Sequence, residues 1–401
     1  MGLPEQPRPA RVAAVDAYRG FVMLLMMAEV LHFGRVAKSV PDSPVWQFLA
    51  LHQSHVLWAG CTLHDLIQPS FTLLVGVSLP FSLASRAARG QSTWRLIAHA
   101  AWRALVLIWL GIFLRSIDKP LTNYTFEDTL TQIGLGYLPL VLIALGPRPG
   151  WWIALAVIVV GYWAAFALYP LPGPDFDYHA VGVPADWPYH YAGFAAHWNK
   201  NSNLAWAFDT WFLNLFPRQR PFLFNDGGYA TLSFIPTLGT MILGLIAGDW
   251  LKRGGPTWRT VGRLAVAGAV LLAAGLAADA TGICPSVKRI WTPAWVLYSG
   301  GWCFLILAGV YAVTDVAGVR AWAFPLRVIG MNSIAAYCLA HLIERFVIGS
   351  FRTHLGRAHL GWDVFAAFGP AYVPVVTGAA VLLVYWLILF WMDRRRIYLR
   401  V

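Results

Sequence analysis

The sequence predicts an all-α polytopic integral membrane protein of about ten transmembrane helices, with both termini cytoplasmic. Three observations predict it. Of 401 residues, 58% are hydrophobic and 12% charged, against roughly 25% charged in an ordinary soluble domain. Polar side chains so sparse could not cover a water-facing surface. The apolar residues also come in runs, such as Trp151–Pro170 and Ala371–Met392, near the roughly 20 residues a helix needs to cross the hydrocarbon core. These runs are apolar all round and do not alternate, which argues against barrel strands.

Taken in chain order on that length criterion, the predicted spans are Ala17–Val36, Leu66–Arg86, Leu96–Arg115, Thr129–Leu145 and Trp151–Tyr169, then Tyr229–Leu251, Thr260–Ala278, Pro293–Asp315, Leu326–Gly349 and Ala371–Met392. The first run carries charge and lacks a small-residue cleavage site, so it reads as a retained helix and not a signal peptide. Compact basic connections fix the orientation. Arg8 and Arg11, Arg86, Arg89 and Arg95, Arg148, Lys252, Arg253 and Arg259, Arg320, and the Arg394–Arg396 tail with Arg400 all fall on one side. That side is predicted cytoplasmic. The opposite face takes the longer connections, above all 170–228, whose Trp, Tyr, Pro and Asn content predicts an ordered cap on a single membrane domain spanning residues 1–401.

The formal net charge of +11 sits mostly in loops flanking apolar runs, with no soluble basic face, so it sets topology and does not bind nucleic acid. The expected partner is the lipid bilayer. A homodimer face would have no sequence signature, because helix–helix and helix–lipid surfaces share one composition. Cys61, Cys284, Cys303 and Cys338 show no metal spacing, and no metal is expected. A Cys61–Cys284 disulfide would need both thiols on the oxidising side.

Polar groups inside spans cost about 2.5–3.5 kcal/mol each on insertion scales, so they mark pairing or function. Asp16 and Arg19 are i,i+3 neighbours near the cytoplasmic boundary, readable as an interfacial ion pair. Glu29 lies deeper and must be protonated, paired or facing a wet cavity. The densest constellation is His52, His55, Trp58, Thr62, His64, Asp65 and Gln68, ahead of Pro69, which opens or kinks the next helix. Imidazole is the usual proton shuttle at neutral pH and a carboxylate orients it. Asp65 near a helix N-terminus also has a purely electrostatic reading. In the ninth segment Asn332, Tyr337, His341 and Arg345 make a polar stripe at helical spacing, suited to interhelical bonding or to lining a cavity. Lys288 and Arg289, before the eighth span, could bind an anionic group or cap a helix end.

In order, these motifs resemble a known family. Arg11-Val-Ala-Ala-Val-Asp16-Ala-Tyr-Arg19-Gly20 is similar to the R-x-x-x-x-D-x-x-R-G opening of the heparan-α-glucosaminide N-acetyltransferase-like membrane acyltransferases. His55-x-x-Trp58-x-Gly60-x-Thr62-x-x-Asp65-Leu66-x-x-Pro69-x-Phe71 resembles their histidine block. Ser233-x-Ile235-Pro236-Thr237, Lys288-x-x-Trp291-Thr292-Pro293 and Gly330-Met331-Asn332-Ser333-Ile334 resemble three later signatures.

The resemblance implies transfer of an acetyl group from acetyl-CoA to an amine or hydroxyl of a sugar or glycan across a bacterial-type inner membrane. It maps the catalytic histidine onto His55, as general base or as nucleophile of an acetyl-imidazole. The charge pattern separately puts His55 at the extracytoplasmic face. Asp65 would orient His55 or the acceptor. Asn332 and Ser333 would donate to the thioester oxygen, and Arg19, Lys288, Arg289 and Trp291 would contact acetyl-CoA. Trp58, Glu29 and His341 are assigned to the acceptor. The chain departs from the family at Glu29-Val30, where an asparagine is common, and at Leu130-Thr131-Gln132-Ile133, which lacks the usual arginine. The competing reading is a proton-coupled sugar permease, which buried Glu29 and the ninth-segment stripe would suit, although no internal repeat accompanies them.

Overall fold

The computed structural model describes residues 12–356 and 360–399, so Arg8, Arg11 and Arg400 lie outside the described residues. Fifteen α-helices and no strand occur among those residues. They are α1 (Ala13–Met27), α2 (Phe33–Ser39), α3 (Pro44–His52), α4 (Ile67–Ala87), α5 (Thr93–Arg115), α6 (Thr129–Leu145), α7 (Arg148–Ala167) and α8 (Leu204–Phe212), followed by α9 (Phe234–Gly254), α10 (Trp258–Ala280), α11 (Pro293–Tyr311), α12 (Phe324–Met331), α13 (Ser333–Leu342), α14 (Glu344–Leu355) and α15 (Val373–Arg394). Seven helices among the described residues are long and apolar enough to cross a bilayer, and the bent pairs α1–α2 and α12–α13 raise the number to nine. The apolar α6 is shorter, at 17 residues. This is the polytopic helical membrane protein that the composition predicts.

Small residues decide which helix sits at the centre. The span carrying α9 is 83% buried, against 22% for α7 and 17% for α10, which turn most of their surface to lipid. In hydrocarbon, helices associate by close packing, and glycine lets backbones approach. A Cβ on Gly244 would lie 2.0 Å from the Leu73 carbonyl oxygen, and one on Gly76 would lie 2.0 Å from that of Met241. Thus α4, which carries the end of the histidine block, is seated directly on the central helix. At the other end Asp249 takes a bidentate pair from Arg148, both contacts 2.9 Å, and so ties α7 to α9.

Two spans differ from the sequence expectation. The predicted Ala17–Val36 span begins earlier and breaks: α1 ends in a 3-10 turn at Ala28–Leu31, His32 takes a left-handed φ of 48°, and α2 leaves at 43°. The predicted Leu326–Gly349 span is three pieces, with a 69° bend between α12 and α13. Asn332 sits at that bend with non-helical φ −127° and ψ 43°. Its amide donates to the Ile397 carbonyl (2.9 Å) and its oxygen accepts from Leu399 N–H (3.1 Å). An asparagine side chain bonding backbone competes with helix continuation, so the stripe expected from Asn332 to His341 is not on one helix. Glycine again sets the packing: Gly20 meets Leu326 and Gly330 meets Asp16, so α12 runs antiparallel to α1 across their contact. Cys61 and Cys284 are both free thiols, without the disulfide the sequence allowed.

Gly244→Leu is expected to destabilise the fold by about 3 kcal/mol or more, because the neighbouring backbone must move. Thermal unfolding in detergent, beside Gly34→Ala, where a Cβ meets nothing within 4 Å, checks this.

Candidate active site

The histidine block folds around one carboxylate. Asp65 has no exposed surface and lies in the turn His64–Leu66 that opens α4. Its Oδ2 accepts from the backbone N–H groups of Val56 (3.2 Å) and Thr62 (3.1 Å). The Thr62 hydroxyl stands 3.0 Å from the same oxygen and 2.6 Å from the Ser54 carbonyl. The chain between His55 and Thr62 therefore wraps the carboxylate, with Gly60 supplying a φ of 106° that a side chain would strain. A single bridge from Ala59 to Val287 docks this loop on the segment before α11, where Thr292 caps the helix by accepting from Trp295 N–H at 3.3 Å.

The bridge brings in a residue 223 positions away. Lys288 Nζ lies 3.1 Å from Asp65 Oδ1, beside His55 Nδ1 at 2.8 Å from that oxygen. Lys288 and His55 Nδ1 are themselves 3.1 Å apart. An ionised carboxylate can only accept, so the shorter contact assigns the proton of His55 to Nδ1 and leaves Nε2 as a free base. Burial, with the charge of Lys288 adding to it, holds His55 below its ordinary imidazole value against the upward pull of Asp65. Burial likewise lowers Lys288, with Asp65 opposing. The result is one carboxylate, one ammonium and a neutral imidazole in a nearly closed set.

His55 and Lys288 border a cavity of about 520 Å³, within the range of roughly 300–1,000 Å³ of small-molecule sites. Glu29 and His341 border it too, as do His64, Gln68 and Tyr337. His341 Nδ1 donates to the Tyr337 carbonyl at 2.9 Å, which leaves Nε2 as its acceptor, and the two rings stack at 4.4 Å. Sequence reasoning missed Arg115, Glu127, Asn225 and Tyr229 on the same wall. The only signal for Glu127 was its place in an acidic pair at a helix start. Asp128 is spent there as N-cap, accepting from Leu130 N–H at 2.9 Å, while burial raises Glu127 above the usual carboxylate range.

Other expected site residues do structural work. Trp58 has no exposed surface and donates to the Trp198 carbonyl at 3.2 Å, anchoring residues 170–228. Arg289 donates to the carbonyls of Gly227 (2.9 Å) and Val56 (3.0 Å) and lies over the Tyr229 ring, so its donors tie the histidine loop to the segment before α9. Trp291 is buried and donates to Thr240 at 3.2 Å. Arg19 donates to Ser78 at 2.9 Å and lies 3.6 Å from Asp16. Asn332 is committed to the C-terminal tail, and neither it nor Ser333 borders the cavity. Among the described residues no group of three or more His, Cys, Asp or Glu is placed to hold a metal.

No family model matches the chain. Among curated proteins it is similar to the heparan-alpha-glucosaminide N-acetyltransferase of Homo sapiens, 24% identical over 392 residues that cover 88% of this chain and 56% of the relative. It is also similar to that of Mus musculus, 23% identical over 384 residues, covering 86% and 55%. The chain spans about half the length of the curated relatives it matches. These similarities support the family relationship that the ordered motifs point to.

Removing one member of a buried ion pair strands the other charge, at a cost of about 3–5 kcal/mol, whereas removing both is near neutral. Asp65→Asn is thus expected to lower thermal stability sharply, and Asp65→Asn with Lys288→Met to regain most of it. Paired melting curves in detergent read this coupling.

Proposed function

We propose that this chain is a transmembrane acetyltransferase that moves an acetyl group from acetyl-CoA to an amine or hydroxyl of a sugar or glycan. The observation that carries the reading is His55 Nδ1 bound at 2.8 Å to a buried carboxylate on the wall of a cavity large enough for small reactants. The named activity of the relatives and the order of the motifs support the chemistry. The concentration of basic residues in the short connections supports a site open to the extracytoplasmic side of a bacterial-type inner membrane.

In this mechanism the acceptor is bound against Glu29 and His341, which face the cavity. Its N–H or O–H meets Nε2 of His55, which takes the proton as the nucleophile attacks the thioester carbonyl. Asp65 holds the ring in the required tautomer and steadies the imidazolium that forms, as a buried carboxylate does for a histidine base. Burial, with Lys288 offsetting Asp65, keeps the resting imidazole neutral and ready as a base. The Lys288 ammonium, beside the ring, then favours onward loss of the proton. In this reading transfer is direct, with His55, which borders the cavity, acting as base.

The test is acetyl transfer from acetyl-CoA to glucosamine by detergent-purified protein, wild type beside His55→Ala. The variant is expected to lose about 10²–10⁴-fold in rate, the usual worth of a positioned acid–base group. The wild-type rate is expected to fall as pH drops through the His55 value, which lies below the ordinary 6.5, and this acidic limb is expected to vanish in the variant. Undiminished turnover in His55→Ala would sink the assignment.

A further inference from the structure

Beside His55 stands a second imidazole–carboxylate pair that the mechanism above leaves without a proton to move. His64 Nε2 lies 3.1 Å from Glu29 Oε1, with the His64 side chain 7% exposed and that of Glu29 59% exposed. Both border the cavity, and the rings of His64 and His55 are 4.6 Å apart. The two members come from different elements, each fixed by its own contacts. Glu29 rides on the 3-10 turn that ends α1, where the side chain of Gln53 donates to the Ala28 carbonyl at 2.6 Å. His64 rides on the turn that opens α4, next to Asp65. One cavity therefore holds two histidines at ring-contact distance, each paired with its own carboxylate, with Lys288 beside the first.

Acyl transfer from a thioester makes two proton demands. The nucleophile must lose a proton, and the departing alkyl thiolate, with a thiol pKa near the ~8.5 of cysteine, gains one. His55 beside Lys288 suits the first demand and is poorly suited to the second. The His64–Glu29 contact places a proton between two groups that both border the cavity.

We propose that the Glu29–His64 pair is the acid of the reaction, an inference that rests on the acetyltransferase reading. The bond from the acceptor nitrogen or oxygen to the acetyl carbon forms as the acceptor proton passes to His55 Nε2. The carbon–sulfur bond breaks, and its electron pair leaves on sulfur. That sulfur takes the proton shared between His64 Nε2 and Glu29 Oε1, giving the free thiol. The proton gained by His55 then passes back to the pair through solvent in the cavity that both border, so both groups end as they began.

The test varies the leaving group. Thiol release by purified protein is followed with acetyl-CoA and with the acetyl thioester of 4-nitrothiophenol, each with glucosamine as acceptor. The nitrothiophenolate leaves without needing a proton. His64→Gln is expected to slow release from acetyl-CoA by about 10²-fold but from the aryl thioester by about threefold or less. A merely structural role would slow both donors alike. Equal loss with both donors, or no loss with acetyl-CoA, overturns this proposal while leaving the acetyltransferase reading intact. Wild-type protein that releases thiol from neither donor overturns the reading itself, and the acid role with it.

Discussion

A carboxylate without solvent exposure persists in apolar surroundings only where donors replace its lost water. Asp65 meets that requirement with five polar contacts, from Val56 N–H, the N–H and hydroxyl of Thr62, His55 and Lys288. Each contact also fixes a piece of the site. The two backbone donors curl the histidine loop, the imidazole is held by its Nδ1, and the ammonium pulls the segment before α11 against α4. The cavity wall is thus a by-product of solvating one buried charge.

The membrane fold serves this arrangement by bringing helix ends together. The end of α1, the start of α4 and the end of α5 converge where Glu29, Gln68 and Arg115 border the cavity. Breaks rather than straight spans finish it. The left-handed residue His32 stops α1 just beyond Glu29. The bend at Asn332 redirects the chain into α13, whose Tyr337 and His341 reach the same space. In lipid, such interrupted backbone is tolerated where it is buried in protein or faces a wet cavity. Both breaks meet that condition, the second by bonding the amide of Asn332 to the C-terminal tail.

Much of this was legible in the residues. Runs of about 20 apolar residues report the bilayer directly, so the helical class and the succession of spans follow from composition and length. The pairing of His55 with Asp65 was one of the roles left open for that carboxylate, beside contact with the acceptor and a purely electrostatic place at a helix start. Lys288 was visible as a cation, but its role was not: an anion-binding site and an ion pair with Asp65 look alike until the chain folds across 223 positions. Asn332 misled for a related reason. Its spacing to Tyr337 and His341 assumes an unbroken helix, and the tail backbone that breaks it lies 65 positions on. Trp58 and Trp291 stand at motif positions yet bond to the Trp198 carbonyl and to Thr240, a use that spacing does not distinguish from touching a substrate. Glu29 called for a partner that the sequence could not name, since its pairing with His64 depends on where α1 ends.

His55 stays neutral because burial and the Lys288 charge together outweigh Asp65, and titration of His55 tests the Lys288 part most directly. Proton uptake by His55 would be followed by NMR of labelled imidazoles in detergent-purified wild type and in Lys288→Met. The wild-type midpoint should lie below the ordinary 6.5. In the variant Asp65 acts on His55 alone, and the midpoint should move up. A midpoint that stays put or falls when Lys288 is removed would contradict the account.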